Sequence, residues 1–368
     1  MELFVFDMGL NRLGIIDDFE TLDIARHYSK TSELSMAVSG TKENIDLLQK
    51  GRILTKSNDL QHGYIIKHRE YVDENTSRLE IIAPSVNSLL AQRITLGQQE
   101  FNGNIENVMK SFVQVNAVNP VNTNRIIPNL VISENSGISI TARAGTSNKQ
   151  LDEYLYSVAN KHDISWDIVL DHTNKKFVFI TWQGADRSTQ QEENAHVIFS
   201  KEFDNILSQN YVESDMDCRT TAIVAGEGEG PNRTYVTVNN ELEGLDRHEL
   251  FIDARDLQST YKNDNEEDVT MSTTEYQELL SERGKSALSE HTEITTFESE
   301  VDLYSQFRYG IDYFIGDRVS IRNDDLSVIL HTRIVSAIET YNRQGGSLKI
   351  DFGDNIPSLL DKLKRAVK

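Results

Sequence analysis

Short runs with an apolar residue at every second position, closed by glycine, asparagine or aspartate, recur along this chain. A period of two puts alternate side chains on opposite faces of a strand, so such runs build half-buried β-sheet. In "ELSMAVSG", Leu34, Met36 and Val38 share one face. In "ISWDIVLDHTNKKFVFITW", Trp166, Ile168 and Leu170 alternate across from Phe177, Phe179 and Thr181, which predicts a strand–turn–strand hairpin.

Strand signals fill residues 1 to about 95. "ELFVFD" and "RLGIID", joined by "MGLN" with Gly9 and Asn11, read as an opening hairpin. "TKENIDLLQKG" is a short helix, capped by Thr41 and stopped by Gly51, and "SVNSLLAQR" is another. From 96 to about 190 the period lengthens. Ile105, Val108, Met109 and Phe112, then Leu151, Leu155 and Val158, recur at helical spacing. "STTEYQELLSERGKSALSEH" is a further helix, with Thr273 or Thr274 as its cap. It turns Leu279, Leu280, Ala287 and Leu288 inward and is weakened by Gly284. Strands return in "EITTFESEVD", "DRVSIRN", "LSVILHTRIVSAIETYN" and "SLKIDFG". The class is α+β and β-rich, and 368 residues suffice for two or three domains.

One stretch raises a question of chemistry. "TAIVAGEGEGPNRTYVTV", residues 221 to 238, sets glycines between two β-branched runs. A phosphate-binding P-loop needs a lysine after its last glycine, and a dinucleotide loop must open a helix. Here Pro231 stands where the second P-loop glycine should be, strand formers follow, and Glu227 and Glu229 would repel phosphate. The stretch is expected to be a hairpin tip. No H-E-x-x-H, G-x-S-x-G or EF-hand pattern occurs, and "ESDMD" and "NDNEED" read as solvated acidic loops. The expectation is therefore no catalytic, cofactor or metal residues. Cys218, the single cysteine, is expected to be a small apolar residue before a strand, and no internal disulfide can form.

The formal charge of -21 argues against binding nucleic acid through phosphate contacts. No stretch approaches eighteen uninterrupted apolar residues, and the N-terminus lacks a basic region before its apolar run, so neither a membrane span nor a signal peptide is expected. "PSLLDKLKRAVK" at 357–368 reads as an amphipathic tail with Lys362, Lys364, Arg365 and Lys368.

Several blocks together resemble the tail-tip proteins of long-tailed bacteriophages (siphophages) and their prophages. The opening hairpin is followed by Arg26, Tyr28, Glu33 and Leu34 in the family's "R-x-Y" and "E-L" positions. "ENIDLLQKGRIL", "VFITWQGADRS", "VIFSKEFDNILSQNYVESDMDCRTTAIVAGEGEG" and "GLDRHELFIDARDL" extend the likeness over the whole chain. The resemblance implies a structural baseplate hub, not an enzyme, similar in architecture to the hubs of contractile tails and secretion spikes. Such a hub is a homotrimer with two tube-like β-barrel domains per subunit and smaller α+β inserts, adapting a hexameric tube to a trimeric tip.

On that plan, 1–95 is the first barrel, completed by 195–216, and 96–194 is an inserted α+β domain. Segments 217–260 and 301–356 form the second barrel, 261–300 is a helical insert, and 357–368 is the tail. The implied partners are the distal tail protein ring, the tape measure protein, and tail fibre or receptor-binding proteins. DNA passes through without specific binding, and no cofactor or membrane is involved. The chain would be made in the bacterial host cytoplasm and end in the virion, at the tail tip. Three copies would carry -63 formal charges, and a negative lumen would let DNA slide past its wall. No enzyme domain is expected after Lys368, where the sequence stops. Two alternatives remain at this point. One is a cell-wall hydrolase with its activity in 96–190 or 260–300. The other is a carbohydrate-binding module using Trp166, Trp182 and Tyr154 as stacking platforms.

Overall fold

A computed structural model describes residues 1–73, 76–262, 268–303, 305–343 and 345–353. The expected tail at 357–368 and most of the "NDNEED" loop lie outside the described residues. Strands take 45% of the chain and helices 19%, so the β-rich α+β class expected from the alternating runs is what forms. The chain divides into two compact units. One holds Met1–Asp18, Val38–Gln183 and Asp217–Thr292, and the other holds Phe19–Ala37, Gly184–Met216 and Glu293–Lys368. Strand pairing, not order in the chain, sets the grouping. Phe19–His27, for example, lies against Val328–Asn342, with Asp23 opposite Thr340.

The first unit is built from small sheets around helices. Leu3–Phe6 pairs with Arg12–Ile16 as the opening hairpin, and with Ile53–Lys56 on its other side. The turn is tied by Asp7, whose carboxylate accepts from the backbone N–H groups of Gly9 and Asn11, each at 2.9 Å. Leu10 rather than Gly9 takes the left-handed conformation there, at φ 57. The hairpin Ser165–Asp171/Lys176–Trp182 has the expected register, Ile168 opposite Phe179 and Leu170 opposite Phe177. Its inward residues join Met109, Phe112, Leu151 and Leu155, from the helices Ile105–Val113 and Leu151–Lys161, in one core. The "SVNSLLAQR" helix forms as a 3-10 helix, Val86–Gln92.

The glycine stretch is a hairpin. Thr221–Ala225 and Tyr235–Val238 run antiparallel, with Ala222 opposite Val238, and Glu249–Asp253 adds a parallel third strand. This sheet packs on the helix Thr273–Ser289. The cap of that helix is Ser272, not Thr273 or Thr274. Its hydroxyl accepts from the Glu275 N–H while the Glu275 carboxylate accepts from the Ser272 N–H, a reciprocal capping box that satisfies two free donors. Gly284 has a role beyond weakening the helix: a β-carbon there would lie 2.7 Å from Val238 and 2.8 Å from Val224. The glycine lets helix and sheet approach closely.

The strands of the second unit lie together in a larger, ten-stranded sheet, in the order Ile206–Ser214, Ile294–Val301, Gly345–Gly353, Val328–Asn342, Phe19–His27, Glu33–Ser39 along part of its path. Val328–Asn342 is 15 residues long, so its first half also pairs with Arg318–Asn323. Two similar segments, "GADRS" and "GDRVS", meet in this unit. The Arg187 N–H donates to the Arg318 carbonyl at 2.7 Å and the Arg318 N–H to the Ala185 carbonyl at 2.9 Å. The buried Asp317 carboxylate accepts from Ala185 N (2.9 Å), Arg187 Nε (2.8 Å) and Phe314 N (3.0 Å).

Candidate functional site

The two faces of the large sheet in the second unit are unlike. Directly opposed residues of an antiparallel pair share a face, so the strand registers assign each side chain. One face carries Phe297, Val301, Leu348, Ile350, Phe352, Leu22 and Ile24, all buried, with Glu339 between Leu348 and Ile24 and Arg26 opposite Ala337 as its charged members. Phe199 packs on it, 5.0 Å from Phe352 and 5.1 Å from Tyr313 between ring centroids.

The other face is polar and acidic. Asn210 stands opposite Glu298, which stands opposite Asp351; Ser208 stands opposite Glu300, which stands opposite Lys349. Lys349 faces Ile338 on the next strand, and Asp23 faces Thr340 beyond it. Four carboxylates, Asp23, Glu298, Glu300 and Asp351, thus share this face with one ammonium. Lys349 Nζ lies 3.0 Å from Glu298 and 3.8 Å from Asp351, and Thr340 donates to Asp23 at 2.6 Å. Burial pushes the Asp351 carboxyl up, opposed by Lys349 and reinforced by Glu298. Burial alone would lower Lys349, but its bond to Glu298 and the nearby Asp351 charge hold it above its ordinary value.

Such a face repels polyanions and offers no array of donors to hold a phosphate. None of its carboxylates stood out in the sequence, because each sits beside ordinary strand formers. Only the alternation within "FESEVD" and "SLKIDFG", combined with the strand pairing, could have placed them together.

The residues weighed for chemistry lie elsewhere. Cys218 is half-buried just ahead of the Thr221–Ala225 strand. Trp166 is 3% exposed and stacks on Phe179, and Tyr154 meets Phe112 edge to face at 4.9 Å, so both serve the core. Trp182 is half-buried. Asp215, Met216 and Asp217 of "ESDMD" are exposed. Among the described residues, no group of three or more His, Cys, Asp or Glu is placed to hold a metal ion.

The loop of the glycine hairpin is held by protein groups rather than shaped around a ligand. Tyr276 Oη accepts from the Glu227 N–H and donates to the Leu257 carbonyl, each at 2.8 Å. Arg233 donates to the carbonyls of Gly226 and Ala225 and pairs with Asp253. A β-carbon on Gly226 would lie 2.4 Å from Tyr276 Oη.

A buried carboxylate that sequence reasoning passed over also proves structural. Glu106, fully buried at the start of the Ile105–Val113 helix, accepts from the N–H groups of Ser136, Gly137 and Ile138 at 2.8–2.9 Å. The hydroxyls of Ser136 and Thr181 also donate to it. Burial would raise its pKa, but these donors outweigh that and hold it at about 2. The group pins the irregular segment after Ser133 to the helix.

No helix among the described residues is long and apolar enough to cross a membrane. Residues 2–354 match the family model described as Siphovirus ReqiPepy6 Gp37-like protein. No curated protein matches the sequence. Among solved structures, the fold is similar to prophage tail protein gp18 from Listeria monocytogenes EGD-e. The TM-score is 0.53 at 12% identity, over 100% of this chain and 98% of that one. It is similar too to the 43 kDa tail protein of prophage MuSo2 from Shewanella oneidensis, with TM-score 0.54 and 12% identity over 96% and 98% of the two chains. A tail protein from Neisseria meningitidis MC58 gives 0.54 and 12% over 96% of each. At such identity the likeness concerns the fold.

Proposed function

Since this chain belongs to the Siphovirus ReqiPepy6 Gp37-like protein family, we propose that it is a structural component of a phage tail, a homotrimeric hub at the tail tip whose ring leaves a passage for DNA. The observation that carries the reading is the two-sided sheet of the second unit, with a mainly apolar, buried face and four carboxylates against one lysine on the other. A wall that DNA must pass without sticking needs that chemistry, because lysine and arginine facing the path would hold phosphates. The fold shared with three prophage tail proteins supports the same setting.

In this reading the protein is not an enzyme and works by assembly, with neighbouring tail rings and receptor-binding proteins as partners. Closure of tube-like barrels on trimerisation belongs to the proposal. Antibody raised against the purified chain should label one end of isolated tails in electron micrographs. Purified particles that contain none of the chain would sink the reading.

A further inference from the structure

Lys110 is the only buried lysine among the described residues. A lysine on a helix ordinarily carries its charge out to water along its flexible stem. This one stays inside, one turn after the fully buried Glu106 of the Ile105–Val113 helix, with its Nζ 3.8 Å from the Glu106 carboxylate. It donates to the Glu134 carbonyl and to Asn135 Oδ1, each at 2.8 Å. Asn135 is fixed on its other side too, because its Nδ2 donates to Asn107 Oδ1 at 2.8 Å. Helix and acceptor meet here without strand pairing, since residues 133–140 belong to no helix or strand.

A buried ion pair is a poor source of stability, because removing two charges from water offsets much of their attraction. What this arrangement provides is a reactive geometry. An amine is held against a primary carboxamide, one C=O bond from its carbonyl carbon, with a carboxylate beside the nitrogen. Burial lowers the Lys110 pKa against the opposing pull of Glu106, which raises the share of neutral, nucleophilic amine. Holding two reacting groups in contact supplies an effective concentration far above that of any free solute. Asn135 is itself exposed, so a leaving group has a direct way to solvent.

We propose that Lys110 and Asn135 join in an isopeptide bond within the chain, assisted by Glu106. Once Lys110 has lost a proton to solvent, its lone pair attacks Asn135 Cγ and the carbonyl electron pair moves onto Oδ1. Glu106 and the Glu134 carbonyl stabilise the positive charge that Nζ then bears. A proton passes from Nζ to Nδ2, the Cγ–Nδ2 bond breaks as the carbonyl re-forms, and ammonia leaves. One amine and one primary amide thus give one secondary amide and one ammonia, with no oxidant or cofactor. The bond closes residues 110–135 into a covalent loop, which restricts the unfolded chain as a disulfide would. A single cysteine gives the chain no internal disulfide for that purpose. The bond lies within one subunit and does not depend on tail assembly.

The test is the intact mass of the purified whole protein, followed by tryptic mapping. The main wild-type species should be lighter than the sequence mass by one ammonia. Trypsin should fail to cut after Lys110 and should release a branched peptide joining 94–125 to 126–143. Lys110→Arg, whose guanidinium is not a nucleophile, and Asn135→Ala, at an exposed position, should each keep their full sequence mass. The second variant serves if the first fails to fold. A wild type of full mass that yields only linear peptides overturns the proposal. So does an ammonia loss confined to one linear peptide, which is succinimide formation, or one that persists in either variant.

Discussion

Gly184 and Gly316 meet backbone to backbone, so closely that a β-carbon on Gly184 would lie 1.9 Å from the Gly316 carbonyl oxygen and 2.6 Å from the Asp317 nitrogen. No side chain can rotate away to relieve that clash. Gly184→Ala should therefore separate the "GADRS" and "GDRVS" segments and cost about 3 kcal/mol or more, as overpacking against fixed backbone does. The urea midpoint at neutral pH measures it; a shift of less than about 0.5 kcal/mol would show that the junction yields easily.

The glycine hairpin should respond to changes at Tyr276 rather than to nucleotides. Tyr276→Phe leaves the Leu257 carbonyl and the Glu227 N–H without their partner and should cost about 1–3 kcal/mol. Gly226→Ala, which pushes on the same hydroxyl, should cost a similar amount. The double variant should cost less than the sum, because both changes act on one contact.

Glu106 ties acid stability to one buried carboxylate. Its folded pKa of about 2 lies below the ordinary 4.5, so its contribution is complete above pH 4.5 and is lost as pH falls toward 2. Glu106→Ala strands five donors and should cost roughly 3–5 kcal/mol at neutral pH. It should also flatten the stability profile between pH 4.5 and 2. A profile as steep as that of the wild type would assign the acid transition to other groups.

His27 should act over a different window. Burial, helped by the Lys30 charge, lowers its pKa from 6.5 to about 4, so the folded state binds fewer protons than the unfolded one between those values. Stability should fall as pH drops from 6.5 to 4, and His27→Gln should remove that slope while leaving the one below pH 4 in place. Urea midpoints at half-unit pH steps would resolve the two. An unchanged slope in the variant would exclude His27 as its source.

The acidic face predicts how DNA responds to charge reversal. The wild type should not retain double-stranded DNA on a filter at moderate salt. Glu298→Lys/Glu300→Lys should retain it, and the affinity should fall with salt at a log–log slope of about 0.9 for each phosphate neutralised. Retention by the wild type would show that the face does not govern passage.

Much of this protein was legible because the information is local. The register of the 165–182 hairpin, the opening hairpin, the Thr41 cap and the helical stripes at 105–112 and 151–158 follow from backbone periodicity and short-range hydrogen bonding. The cap of the Thr273–Ser289 helix was misread as Thr273 or Thr274; Ser272 with the glutamate three residues later was the deciding signal, and the adjacent threonines competed with it. The sequence alone also determined the family, through blocks spread over the whole chain.

Tertiary structure decided the rest, because the deciding atoms come from distant segments. Gly284 reads as a weak point in a helix until Val224 and Val238 are seen against it. Glu106 is an ordinary first-turn acid until three amides from 136–138 and the Thr181 hydroxyl close around it. Asp23, Glu298 and Asp351 become one acidic wall only when strands from both ends of the chain pair in register. A strand's pattern fixes which residues share a side, but pairing fixes which strand supplies the neighbour and which side faces the core.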